Sequence, residues 1–147
     1  MTIKKKKMNN YKIIAKYIKK INFNIPDSKT FFLLSKNISN YKIKIDIKSH
    51  QIKETIIEIE ITLALRPIKK IDKEIETKII YSTIIELSKE INDKKQLEEI
   101  ILIKVPNDVY PEIRSTFVYL FEKSGFKDIK IDKTVDFEKL YNLKKIQ

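Results

Sequence analysis

Cysteine is absent from the chain, which excludes disulfides and thiolate chemistry and points to a reducing compartment. Gly125 is the only glycine, so no glycine-rich loop exists to cradle a phosphate. Turns that need positive φ must fall on Asn or Asp, or be avoided. His50 is the only histidine and falls in an expected link between strands, where an exposed turn residue is the plain reading. A transition-metal site would then need several carboxylates to converge, and no spacing announces that. Glu58 and Glu60 lie two apart, as the paired acids of a glycosidase could, but so does any charged sheet face. No catalytic residue, metal or cofactor is expected, and the chain does not read as an enzyme.

Long apolar runs are also lacking. The longest core run, "IILIKV" from Ile100 to Val105, is far short of the ~20 residues that span a bilayer. The start "MTIKKKKMNN" is basic, but no apolar run of ~7–15 residues follows, so a secretory signal is not expected. The expectation is a soluble, cytoplasmic protein without membrane insertion.

What is abundant is isoleucine and lysine. The formal net charge is 31 − 20 = +11, and Arg66 and Arg114 are the only arginines. A lysine-rich surface attracts polyanions but lacks the bidentate fork that reads bases and phosphates. The glycines and aromatics of an RNA-recognition sheet are missing. Codon drift toward A/T explains much of the charge, and a basic nucleic-acid-binding domain stays as an alternative.

Residues 1–10 read as a disordered basic arm and residues 11–147 as a single domain. "KYIKKINFNI", ending before Pro26, is expected to be a first strand, with Lys19, Ile21, Phe23 and Ile25 of one parity. "YKIKIDIK" is the clearest strand, with Tyr41, Ile43, Ile45 and Ile47 facing one way. "ETIIEIEITLAL" follows, and the short link Ser49–His50–Gln51 suggests a hairpin. A fourth alternating stretch runs from Ile71 to Leu87. Hairpin-like links between these four imply an antiparallel sheet. Helical spacing begins after Asn92 or Asp93 and is expected to be interrupted at Pro106. A second helix is expected from near Asp108, with Pro111 in its first turn and Gly125 just past its end. Asp136 opens a last helix.

Two features carry function. The middle helix has Val109, Ile113, Phe117 and Leu120 in one stripe, widened by Tyr110, Val118 and Phe121. A helix apolar over most of its circumference needs cover on two sides. Its own sheet gives one, so a second subunit is expected on the other, through Tyr110, Ile113, Phe117, Val118 and Phe121. The second feature is "SKTFFLLSKN", from Ser28 to Asn37, which carries Phe31, Phe32, Leu33 and Leu34 in a row inside an expected extended connection. Burying four such side chains is worth roughly 6–12 kcal/mol, comparable to the ~5–15 kcal/mol net stability of a domain. From an extended segment about half of them must point away from the core. That arrangement suits a wall that holds apolar ligands.

"VPNDVYPEIRSTFVYLFEKSGF" resembles the long-helix signature of the SecB protein-export chaperones, through Pro106, Asn107, Tyr110, Pro111, Arg114, Gly125 and Phe126. "VDFEKLY" is similar to the family's closing pattern, and "YIKKINFNIP" to its first strand, so the resemblance spans Tyr17 to Tyr141. It implies an α+β fold, a four-stranded antiparallel sheet followed by a long helix and a C-terminal helix. It also implies a homotetramer, a dimer of dimers with the long helix between subunits. Unfolded or nascent polypeptides would bind ATP-independently in hydrophobic grooves lined by Phe31, Phe32, Leu33 and Leu34 and by Phe137, Leu140, Tyr141 and Leu143. A related alternative is a SecB-like chaperone dedicated to one client, such as an antitoxin. The family docks on the export motor ATPase through acidic residues of the first strand, where this chain has Lys19, Lys20, Asn22 and Asn24.

Overall fold

The computed structural model describes residues 10–68, 75–89, 91–127 and 129–146. The expected basic arm therefore lies outside the described residues except for Asn10, and so does the start of the fourth alternating stretch, residues 71–74. Four strands, β1 (Tyr11–Asn24), β2 (Tyr41–Lys53), β3 (Ile56–Pro67) and β4 (Glu76–Leu87), form one antiparallel sheet in the order β1-β4-β3-β2. A helix α1 (Ser28–Asn37) carries the chain from one edge strand to the other. After β4 come α2 (Lys94–Glu99), a π turn at Ile100–Lys104, α3 (Val105–Lys123) and α4 (Phe137–Ile146). The α+β architecture is as expected, but β1 pairs with β4 rather than with its neighbour in sequence.

The long helix is anchored by one stripe. Val105, Val109, Ile113, Phe117 and Phe121 recur every four residues and are all fully buried. A four-residue spacing keeps side chains on nearly one line along an α-helix. They meet the inner face of the two central strands, where Ile59, Ile61 and Leu63 of β3 and Ile79 and Ile85 of β4 are 0–1% exposed. Four strands at ~4.8 Å spacing make a sheet wider than the ~10–12 Å diameter of one helix. The edges are accordingly left part-covered. Ile43, Ile45 and Ile47 of β2 are only half-buried, and Ile18 and Ile21 of β1 are each 44% exposed.

The far end of α3 shows why the single glycine stands where it does. Gly125 has φ +97°. Its N–H donates to the Glu122 carbonyl, and the Phe126 N–H to the Phe121 carbonyl, which closes the helix as a Schellman motif. The Phe126 ring packs on Phe121, with centroids 5.7 Å apart, and on Phe31 of α1 at 4.9 Å. A Cβ at Gly125 would come within 3.1 Å of the Phe31 ring. So the same residue supplies the left-handed cap and the space into which α1 docks.

Several expectations are corrected. Ser28–Asn37 is a helix, not an extended connection: Asp27 caps it, its carboxylate accepting from the Thr30 N–H at 2.7 Å. The four consecutive apolar residues masked its period. Leu34 points into the core and Phe31 onto Gly125, while Phe32 and Leu33 point out. Ser49–Gln51 is not a turn, because β2 continues to Lys53 and the chain reverses at Glu54–Thr55. Ser49 and Gln51 keep the pleat of Ile47 although they are polar. β1 starts at Tyr11 rather than near Lys16, and register shifts at Ile13/Ala15 and Ile18/Lys20 reset its parity. Ile18, Ile21 and Phe23 thus share one face. Pro106 does not end the helix. It has no N–H to close the ladder, and the chain widens into the π turn, where the Val105 N–H bonds the Ile100 carbonyl. Pro111 lies inside α3 rather than in its first turn, at an exposed position, where its ring offers no N–H to the carbonyl one turn back.

Gly125→Ala should destabilise the protein by about 1–2 kcal/mol from the left-handed backbone alone, and more from the Phe31 contact. Urea unfolding reads this. A second test concerns Glu112 of α3, which takes Lys16 of β1 and the Tyr81 hydroxyl of β4. The Lys16 ammonium and the Tyr81 hydroxyl hold the Glu112 carboxyl below its ordinary range, while burial pushes the Tyr81 hydroxyl up to about 12. Because the folded-state value of Glu112 is depressed, its contribution is full above the unfolded carboxylate range and is lost as pH falls through the folded value. Glu112→Gln should flatten the acid limb of the stability–pH curve and also soften the alkaline limb, because the Glu112 carboxylate adds to burial in raising Tyr81.

Candidate client-binding groove

β2 is one of the two edge strands, and among the described residues no strand lies along its outer side. Beside it lies a cleft of about 370 Å3. Tyr41, Ile43 and Ile45 of β2 form one wall, Tyr110 of α3 the floor, and Val135 and Leu140 the other wall. Lys42, Lys130 and Asp132 give it a polar rim.

The far wall is held by side chains rather than by a ladder. The Tyr110 hydroxyl donates to the Asp132 carbonyl at 2.6 Å, and Arg114 Nε donates to the Ile131 carbonyl at 3.0 Å. Arg114 thus pins this returning segment. Burial raises the Tyr110 hydroxyl above its ordinary range, so the donor stays protonated at neutral pH. Asp136 caps α4 through the Lys139 N–H at 2.9 Å. Phe137 fixes its start, 2% exposed and edge-on to Tyr110 at 5.9 Å. The Tyr141 hydroxyl then donates to Glu98 Oε2 of α2 at 2.6 Å. Beyond these two ties α4 leaves Leu140 39% and Leu143 54% exposed.

The residues expected to line a groove thus divide by geometry. Phe32, at 63%, Leu33, Leu140 and Leu143 face outward. Leu34 and Phe137 lie in the core, Phe31 packs on Gly125 and Phe126, and Tyr141 is tied to Glu98. Of the residues expected to face another subunit, Tyr110, Ile113, Phe117 and Phe121 are 0–3% exposed within one chain, and Val118 is half-buried. The sequence reading missed Tyr41, Ile43, Ile45 and Val135 as cleft residues. The alternation of β2 was visible, but it looked the same as that of a sealed strand, and only the strand order makes β2 an edge.

A four-stranded antiparallel sheet backed on one face by helices is the fold of a SecB-like chaperone. A family model described as preprotein translocase subunit SecB matches residues 4–147. The putative protein-export protein SecB of Pelagibacter ubique (strain HTCC1062) is 39% identical over 132 residues, which cover 90% of this chain and 94% of that protein. The chain belongs to the SecB family, a family of chaperones rather than enzymes. Among solved structures, a SecB-like chaperone of Mycobacterium tuberculosis in complex with a ChAD peptide from an antitoxin has the same fold. Its TM-score is 0.61 at 8% identity, over 86% of this chain and 88% of that one. No described helix is long and apolar enough to cross a membrane.

Tyr141→Phe should loosen α4 without unfolding the sheet. Amide hydrogen exchange in residues 137–143 should accelerate, while exchange in β3 and β4 stays at its wild-type rate.

Proposed function

We propose that the protein is an ATP-independent holdase that keeps polypeptides unfolded by binding their apolar segments along β2 and α4. The observation that carries this reading is the cleft itself: half-bare apolar side chains beside a free strand edge. An extended client strand can pair with the backbone of β2 while alternate side chains enter the cleft. Phe32 and Leu33 of α1, which leads into Tyr41 through the 3-10 turn Ile38–Asn40, extend the apolar surface toward one end. Binding only the unfolded form shifts the folding equilibrium of a client by mass action, and no nucleotide or metal is needed for that.

The working form is a homotetramer, a dimer of dimers. Four β1 residues, Ile14, Tyr17, Ile18 and Ile21, are 42–44% exposed on a 14-residue edge strand, and Tyr119 is 56% exposed on α3. A long edge strand with apolar side chains is an aggregation hazard unless another strand covers it. The interface residues expected from sequence lie mainly inside the subunit, so β1 and the Tyr119 side of α3 are the surfaces that favour assembly. A role in export rests on family membership. Docking on the export motor ATPase through acidic residues of the first strand has little to draw on here, since β1 carries lysines and its neighbour Glu76 accepts from Asn22. A second reading, service to one client such as an antitoxin, is favoured by the peptide held by the mycobacterial structure.

The double variant Phe32→Asp with Leu140→Asp should abolish suppression of aggregation of several unrelated unfolded proteins, with its solution mass still that of a tetramer. Full protection by that variant would refute the groove. Protection of one client and no others would select the dedicated reading. A strongly salt-dependent affinity for duplex DNA with no protection would favour the nucleic-acid alternative.

A further inference from the structure

The sheet face turned away from the helices holds the one acidic or basic side chain that is buried among the described residues. Glu58 of β3 is 6% exposed. Burying a carboxylate is costly unless donors surround it. Here the Ser82 hydroxyl of β4 donates at 2.5 Å and the Tyr17 hydroxyl of β1 donates to the same oxygen, Oε2. That leaves Oε1, which faces Nε2 of His50 at 2.7 Å, directly across the β2–β3 ladder. Glu60, two residues on and on the same face, points its carboxylate to the same place and is held there by the Lys19 ammonium. One ligand atom from each of His50, Glu58 and Glu60 falls within a 4.8 Å group.

We propose that His50, Glu58 and Glu60 form a divalent-cation site, selective for zinc or a similar borderline metal, on the outer face of the sheet. An imidazole with two carboxylates suits Zn2+ rather than Ca2+ or Mg2+, which take more oxygens. The ligands span two paired strands, so backbone register sets their separation. Tyr17 and Ser82 fix Glu58 from behind, as outer-shell donors orient metal carboxylates. Tetrahedral bonds of ~2.0–2.1 Å put ligand atoms about 3.3 Å apart, and rotation of the Glu60 side chain away from Lys19 closes the group to that size. The metal takes the Nε2 lone pair of the neutral imidazole, whose single proton then sits on Nδ1, and the Lys19 ammonium is freed. A fourth position stays open to water on the His50 side, which is 54% exposed. This site lies on the opposite face from the client cleft and does not depend on it.

The chain has no cysteine and one histidine, so untagged protein gives a clean test. Zinc chloride titrated calorimetrically into the full chain in chelator-free buffer should show one saturable site per subunit. His50→Ala should abolish it, Glu60→Gln should weaken it about tenfold or more, and Lys19→Met, which removes the competing ammonium, should tighten it. His50, Glu60 and Lys19 are surface positions, and circular dichroism verifies that each variant is folded. Cobalt substitution should give tetrahedral visible bands in the wild type that vanish in His50→Ala. No saturable zinc binding, equal binding by His50→Ala, or calcium binding as strong as zinc would each overturn the assignment.

Discussion

One helix has to cover a four-stranded sheet that is wider than itself. The stripe from Val105 to Phe121 seals β3 and β4, whose inner side chains are almost wholly buried, and touches β1 through the Phe121–Phe23 ring contact at 4.9 Å. The inner residues of β1 and β2 stay part-bare on either side. A chain of this length could have grown a second long helix to close both edges. Instead it places a short α1 across one end of the sheet and a ten-residue α4 beside β2, and each turns apolar side chains outward.

The two uncovered edges differ, and that difference divides the proposed roles. Beside β2 there is a walled cleft, floored by Tyr110 and rimmed by charge, into which an extended chain fits. Along β1 the described residues form no such cleft, and Ile14, Ile18 and Ile21 are exposed on a long strand, the surface to which the proposed assembly assigns another copy. On the opposite face of the sheet Glu58 is enclosed by the Tyr17 and Ser82 hydroxyls and the His50 imidazole. The aromatic junction of Phe31, Phe126 and Phe121 at Gly125 couples the crossover helix to the end of α3. α1 therefore holds a fixed position on the core while its outer side stays free.

Much of the fold was legible in the sequence. Alternation in "YKIKIDIK" and "ETIIEIEITLAL" marks strands because side chains on a pleated strand alternate faces, and the change to four-residue spacing after Asp93 marks helix. Gly125 was readable as a cap because a left-handed residue after an apolar helix favours glycine. Other parts depended on partners far away in the chain. Nothing local tells that β1 lies beside β4, so the exposure of Ile43 and Ile45 could not be foreseen from their own alternation. The helix of "SKTFFLLSKN" was hidden because four consecutive apolar residues carry no period, although Asp27 at its N-cap was a visible start signal. His50 looked like a turn residue because it is polar and near a reversal. Its place opposite Glu58 follows from strand register, which is fixed by the apolar positions on the other face.

The central claim is that an unfolded chain occupies the uncovered apolar strip between β2 and α4. Hydrogen exchange of the protein with and without a saturating, permanently unfolded polypeptide tests it most directly. The account predicts new protection concentrated in Tyr41–Ile47 and in the described part of α4, with β3 and β4 unchanged. Binding of that polypeptide with no added protection along β2, or with protection confined to β1, would contradict it.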